Sequence, residues 1–358
     1  MARAIVAHPR ARDAVIVGLG LVGALSYLDG LQARGFLHGW DVYHYYVGAR
    51  YFPELGYDGL YACSTAADAE DLGVEQVAPA VRNLESHRVE PGHAALRAAA
   101  QCRARFSPDR WAAFKHDVAW FRERIGPGQW RRVLRDHGFN GTPAWLVLGR
   151  TLAETGPASR AQLLALVLVD PMLLAGAGAV IARVFGWRPL CLAVGFFGLN
   201  YPARVGWTAG AFLRQDWLVA TVVGVALLKR NRPVAAGAAL GVAALLRIFP
   251  ALVLAGLAVS AAVDAARGRT MAARTFMPRV LLGVAIAAAA VVPASFLVAG
   301  PAAWPAFARK AAVHAGTPLT NHIGLKTVVA YEHATRAEMS APLALDADAF
   351  QPWKDARR

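Results

Sequence analysis

Apolar residues gather into long runs along this chain instead of alternating with polar ones at the period of a strand or an amphipathic helix. The first run, Ala14–Leu28 (AVIVGLGLVGALSYL), follows a short basic N-terminus. Ala161–Ile181 is the second, Trp187–Leu199 the third, and Trp217–Leu228 the fourth, closed by the basic tetrapeptide KRNR. A span needs roughly 20 apolar residues. Val234–Val263 is too long for one helix and is interrupted by Arg247 and Pro250, so it divides into two short helices meeting at RIFP. Val280–Val298 is the seventh run. The pattern predicts an all-α polytopic membrane protein with about seven transmembrane helices. Spans this short thin the bilayer locally or line a wet cavity, where broken backbone is tolerated.

Between the first two runs lies a long polar and aromatic segment. Val42–Phe52 reads as an interfacial helix with its tyrosines at headgroup level. Ala66–Ala104, rich in Ala, Glu and Arg, reads as a helix or a mobile lobe. Arg110–Leu134 interleaves Trp and Phe with Arg and Lys, as an amphipathic helix pair lying on a membrane would. Trp145–Leu152 is a short apolar patch before the break at Gly156-Pro157. The chain thus divides into a cytoplasmic N-terminus and first helix (1–31), an extracytoplasmic loop with interfacial helices (32–160), a helix bundle (161–298) and an extracytoplasmic tail (299–358). The tail ends in DAFQPWKDARR without a further apolar anchor, which reads as either an incomplete chain or a truncated gene product.

Composition agrees with a lipid environment. Hydrophobic residues make up 56% and charged residues 17%, against about 45–50% and 25% in soluble domains. Mean hydropathy is +0.35. No small-residue cleavage site follows the first run, so it reads as a retained helix and not a signal peptide. Short loops rich in Arg and Lys stay cytoplasmic. Arg3, Arg10 and Arg12, then Arg183 with Arg188, then Lys229–Arg232, then Arg267, Arg269, Arg274 and Arg279 all fall on one side if seven spans start from an inside N-terminus. The remaining segments then face outward, from an inner (plasma) membrane. The net charge of +14 is in part this topological bias, with lipid phosphates as partners for the rest. No basic helix or module for nucleic acid is present. Cys63 and Cys102 share the outer segment and either pair in an oxidising compartment or remain thiols. Cys191 sits in a span as a small apolar residue.

Ionisable groups in or beside a membrane are costly, and their positions mark candidate sites. Asp41 opens the outer segment. Asp170 lies inside the second run, before Pro171. Arg204, Arg214 and Asp216 sit in NYPARVGWTAGAFLRQDW, and Arg247 precedes Pro250. Structural roles compete at each: a helix cap for Asp41, snorkelling for Arg247, an Arg214–Asp216 ion pair, and packing against an arginine for Asp170. Asp68, Glu70 and Asp71 read as a solvated acidic surface. Tyr43, Tyr45 and Tyr46 either stack on a sugar or anchor the loop, and His44, His314 and His322 are hydrogen-bond donors without metal-ligand spacing.

The segments WDVYHYYVGARYFPELGY, GAFLRQDW, RIFP and TNHIGLKT, in this order and on one side, resemble the GT-C superfamily of polytopic glycosyltransferases. Within it the chain is most similar to polyprenyl-phosphate-mannose-dependent mannosyltransferases and the bacterial membrane proteins grouped with them. The resemblance implies transfer of a sugar, mannose in those relatives, from a polyprenyl-phosphate donor to a glycan or lipid acceptor at the extracytoplasmic face. It gives Asp41 the place of the family's first-loop aspartate, a general base. It gives Arg247, Arg214 and Arg204 the donor phosphate, and Tyr43, His44, Tyr45, Asp216, Asn321 and His322 the sugar and acceptor. Val42 follows Asp41 where many family members carry a second acidic residue, which weakens any argument for a bound metal and leaves a divalent cation open as a cofactor. The competing classes are a lipid or solute transporter, whose broken helices would line a midplane site, and a non-catalytic subunit of a cell-envelope assembly complex.

Overall fold

A computed structural model of the chain describes residues 9–33, 35–200, 208–268 and 270–316. Among the described residues helix takes 76% and strand 2%, and three helices there are long and apolar enough to cross a membrane, in keeping with an all-α membrane protein. The longer helices, in chain order, are α1 (Pro9–Ala33), α2 (Leu60–Leu72), α3 (Pro108–Ile125), α4 (Pro127–Val133), α5 (Pro143–Ala153), α6 (Arg160–Val167) and α7 (Val169–Phe185). They continue with α8 (Trp187–Leu199), α9 (Asp216–Lys229), α10 (Pro233–Leu246), α11 (Ala251–Ala266), α12 (Thr270–Ala299) and α13 (Ala303–Gly316). Two compact units result: residues 1–42 with 159–297, and residues 43–158 with 298–358.

In the first unit the three long apolar stretches are Pro9–Gly30, Arg160–Phe185 and Phe276–Ala299, and α8, α10 and α11 are shorter apolar helices. A helix rises about 1.5 Å per residue, so 13 to 16 residues reach only about 20–24 Å of a hydrocarbon core roughly 30 Å thick. The first helix is longer than its apolar run because Pro9 fits the first helical turn and Arg10, Arg12 and Asp13 extend it. The second run is divided between α6 and α7 at Leu168. Pro171 causes this: it has no N–H for the Val167 carbonyl, and its ring clashes there. The break expected at RIFP occurs, with Arg247 extended (φ −145°, ψ 139°) and Pro250 at the start of α11.

Glycines set the helix packing. A Cβ on Gly198 of α8 would collide with the Gly23 carbonyl of α1, and one on Gly23 would lie 2.5 Å from the Val194 oxygen. Together with Asp13–Arg188 (2.8 Å) at the start of both helices and Tyr27–Phe197 near their ends, these contacts make α1 and α8 parallel. Gly237 of α10 and Gly283 of α12 likewise meet Val280 and Val234 backbone oxygens, and Gly241 meets Val284, so α10 and α12 are also parallel. Backbone approach at small residues is the usual route to close packing where lipid supplies no hydrophobic drive.

The second unit is built from the long polar segment, and it corrects three sequence expectations. Residues 39–55 are a string of short helical pieces, with a π-helical turn at Tyr43–Val47. Their tyrosines do not lie open to headgroups. Tyr43, Tyr45, Tyr46 and Tyr51 are buried. Tyr46 and Tyr51 donate to Gly156 O (2.6 Å) and Asp117 Oδ2 (2.9 Å), so burying a phenol leaves no orphaned hydroxyl. The pair α3–α4 forms as expected, but Trp111, Phe114, Val118, Phe121, Trp130 and Val133 are buried in the protein's own core, not in lipid. Asp68 is not a solvated carboxylate: it is buried against Arg122 and accepts from Trp130 Nε1 at 2.7 Å. Burial raises its pKa and those two donors oppose the rise. The 66–104 segment resolves into the end of α2, a hairpin of β1 (Ala80–Arg82) and β2 (Val89–Pro91), and two short helices. Cys63 and Cys102 form a disulfide, closing the choice that the sequence left open.

Lys310 of α13 is buried in this unit, donating to the Leu84 carbonyl at 2.9 Å with Asp58 at 3.8 Å. Burial pushes its pKa down to about 8, with Asp58 opposing and Arg82 reinforcing the shift.

Two predictions follow from packing and charge. Gly198→Leu should lower the midpoint of thermal unfolding in detergent, by at least the 1–3 kcal/mol or so typical of overpacking. Gly176→Ala, with nothing within 4 Å of the new Cβ, is the matched control and should not. The unfolded chain binds more proton at Lys310 than the folded chain between about pH 8 and its ordinary value of 10.5. Stability should therefore rise with pH from about 8 to 9.5, by roughly 1 kcal/mol per pH unit. Lys310→Met should flatten that slope; an unchanged slope would show that the amine does not carry it.

Candidate functional site

Helix direction gathers the unusual residues of the first unit at one end. The chain enters Asp41 after α1, Asp170 lies in the first turn of α7, residues 208–215 lead into α9, and Arg247 follows the end of α10. Since α1 and α8 are parallel and the short turns after α7 and α9 reverse the chain, all four lie at the same face of this unit.

Local structure fixes each. The short helix Gly39–Val42 is capped by His38, whose Nδ1 accepts the Asp41 N–H at 3.0 Å. The cap role weighed for Asp41 thus falls to His38, leaving the Asp41 carboxylate to face Arg214, with Nε–Oδ1 at 3.6 Å. Asp41 Oδ2 is buried and accepts no hydrogen bond among the described residues. The loop before α9 is itself buried at Ala209, Ala211, Phe212 and Leu213. Gly210, at φ 72°, accepts the His38 N–H at 2.7 Å. Leu213 is left-handed at φ 51°, a conformation uncommon for a residue with a Cβ. Asp170, 2% exposed, accepts the backbone N–H groups of Arg214 (2.8 Å) and Gln215 (3.2 Å). It binds the chain of the loop and not the guanidinium envisaged from sequence. Asp216 is buried, with Oδ1 on the Trp217 N–H at 2.8 Å and the Arg247 charge close by. Arg214 thus faces Asp41, and its charge also acts on Asp216.

Behind these groups lies a cavity of about 560 Å³, within the roughly 300–1,000 Å³ of ordinary ligand sites. Its walls are apolar: Leu174, Ala177 and Ile181 from α7, with Ala193, Phe196 and Phe197 from α8. Arg214, Gln215 and Arg247 line its polar end, beside Trp217 and Phe249, whose rings meet edge to face at 4.6 Å. Trp217 also donates to the Arg214 carbonyl at 3.0 Å. The arrangement suits an amphiphile with an anionic head: two guanidiniums in one part of the lining and apolar side chains over most of the rest. No family model matches this chain, and neither a curated protein nor a solved structure matches it.

The expected sugar-binding residues of the opening segment are elsewhere. Tyr43 is fully buried with its hydroxyl on Ser64 Oγ (2.8 Å), between Phe121 and Trp130. His44 is held by the Tyr61 hydroxyl at 2.6 Å, and Tyr45 donates to Asn140 Oδ1. All three belong to the core of the second unit, where no ring face is open to a sugar. Arg204, Asn321 and His322 lie outside the described residues, as does the side chain of His314. Among the described residues no three metal-ligating side chains come together. Gln215, Trp217 and Phe249 were not singled out from sequence, although GAFLRQDW and RIFP contain them; only the turn into α9 and the break after α10 bring them to one cavity.

Arg247→Lys keeps the charge but loses the planar fork. If the mouth holds a phosphate, binding of a fluorescent alkyl phosphate should weaken by about 1–2 kcal/mol, and Arg247→Ala should weaken it further. Binding equal to the parent in both variants would reduce Arg247 to an interfacial anchor.

Proposed function

We propose that this chain is a GT-C-type membrane glycosyltransferase that moves a sugar, mannose in the first instance, from a polyprenyl phosphate to a glycan or lipid acceptor outside the cytoplasm. The observation that carries the reading is the apolar cavity ending in Arg214 and Arg247, with the Asp41 carboxylate paired to Arg214. A polyprenyl phosphate has that shape and charge: the chain in the cavity, the phosphate between two guanidiniums. In the proposed reaction the acceptor hydroxyl attacks the anomeric carbon, a new C–O bond forms, and the bond from that carbon to the phosphate oxygen breaks. Asp41 takes the hydroxyl proton, and Arg214 and Arg247 meet the charge left on the departing phosphate.

The same reading has seven spans and an inside N-terminus. Parallel α1 and α8, and parallel α10 and α12, support it, because each pair requires one crossing in the opposite direction between its members. The Cys63–Cys102 disulfide supports an oxidising side for the second unit. In a Cys191→Ala background, Ser86→Cys should react with a membrane-impermeant thiol reagent in intact cells and Asn231→Cys should be protected. The reverse pattern would sink the orientation.

The reaction is tested with purified protein, radiolabelled polyprenyl-phosphate mannose and crude envelope acceptors. Label should pass to an acceptor, and folded Asp41→Asn should transfer about 10²–10⁴-fold more slowly while still binding donor. Unchanged transfer would remove Asp41 from the mechanism. Donor bound by the parent but never transferred would favour a lipid carrier, for which the same cavity is suited.

A further inference from the structure

We propose that Asp170 is a positioning residue: its carboxylate grips two successive backbone amides and thereby sets Arg214 at the mouth of the cavity. The inference rests on the reading of Arg214 as a phosphate ligand and deepens it.

Asp170 is an ionisable side chain well inside the apolar stretch Arg160–Phe185, an expensive placement that calls for a compensating role. The structure shows what surrounds it. Oδ2 accepts from the Arg214 N–H and Oδ1 from the Gln215 N–H, so both carboxylate oxygens are spent on backbone. The side chain does not line the cavity, whereas Leu174, one turn further along α7, does. Asp170 therefore acts on a bound molecule only through the loop.

That loop needs holding. Leu213 sits left-handed immediately before Arg214, in a region that non-glycine residues occupy only where their surroundings enforce it. The His38–Gly210 bond lies four residues earlier, and the Trp217–Arg214 bond fixes a carbonyl, not the direction of the chain entering Arg214. The two amides on Asp170 bracket the Cα of Arg214 and so determine where its side chain departs. An amide side chain of the same size could not substitute, since it offers one acceptor oxygen and turns an NH₂ donor toward the second N–H.

The test uses the full chain in detergent with a fluorescent polyprenyl phosphate. Asp170→Asn should weaken binding about tenfold, the order lost when a group that orients a ligating residue is removed. In an Arg214→Ala background the same change should cost nothing further, because Asp170 would have nothing left to position. A full additional loss in that background would mark Asp170 as merely structural, and parental binding by Asp170→Asn would overturn the proposal. Amide exchange in the unmutated chain gives a second reading that survives misfolding of the variant. The Arg214 and Gln215 N–H groups should exchange more slowly than those of Ala209 and Gly210; exchange as fast as theirs would refute the grip. If the unmutated chain fails to bind the lipid phosphate at all, the phosphate reading falls, and the exchange rates still decide whether Asp170 holds the loop.

Discussion

A buried loop without a helix of its own leaves backbone N–H groups that need acceptors, and the first unit is organised around meeting that demand. Pro171 splits the second apolar run and makes the turn at Leu168. The residue before that proline, Asp170, then supplies acceptors for N–H groups of a loop that has no helix of its own. One short stretch, LVDP, thus both puts a turn into an apolar helical run and supplies acceptors to the loop beside it. His38 and Gly210 complete the repair by tying the segment after α1 to the same loop. Asp41 and Arg214 meet because these backbone bonds bring their two segments together; their own contact, at 3.6 Å, follows from that placement.

The second unit solves a related problem by different means. Its aromatic residues carry hydroxyls and indole N–H groups into a dry core, and each of those groups named here finds a partner. Asp117, with no solvent exposure, illustrates the economy: its two oxygens serve Tyr51, His116 and the Ala158 amide, with Arg50 at 3.5 Å. Removing one member of such a cluster strands the others, so its parts hold one another in place. The disulfide adds a covalent tie between α2 and the short helix Ala99–Ala104.

Much of the first unit was legible in the sequence because lipid imposes a simple rule on it. Long apolar runs became helices and the interruption at RIFP became a break, whereas Pro171 put a turn into a run expected as one helix. The second unit was legible as helices but not as a core. Tyrosines beside an apolar helix look the same whether they face headgroups or pack on Trp130, since both settings ask for a large ring with a polar tip. The helix α3 shows the same ambiguity: an apolar stripe records that something covers it, not whether that cover is lipid or protein. Asp68 was misread because its partners, Arg122 and Trp130, lie more than fifty residues away. The site was half legible. Asp41, Arg214 and Arg247 stood out as charges near membrane boundaries, whereas the contribution of Asp170 depended on a backbone contact across 44 residues, which no side-chain pattern announces.

The Asp41–Arg214 pair gives the proposed chemistry an internal coupling. With the site empty, each charge has the other as its partner, and neither is left alone in a low-dielectric setting. A sugar diester of a lipid phosphate carries one negative charge; once the sugar departs, the phosphate monoester carries more. In the proposed reaction Asp41 becomes neutral at the same step, by taking the acceptor proton. Arg214 then loses its resting partner just as the leaving group gains charge, and the guanidinium can transfer its interaction from one to the other. A base and an anion ligand held in contact thus serve each other, because the proton transfer that activates the nucleophile also releases the cation that the leaving group requires.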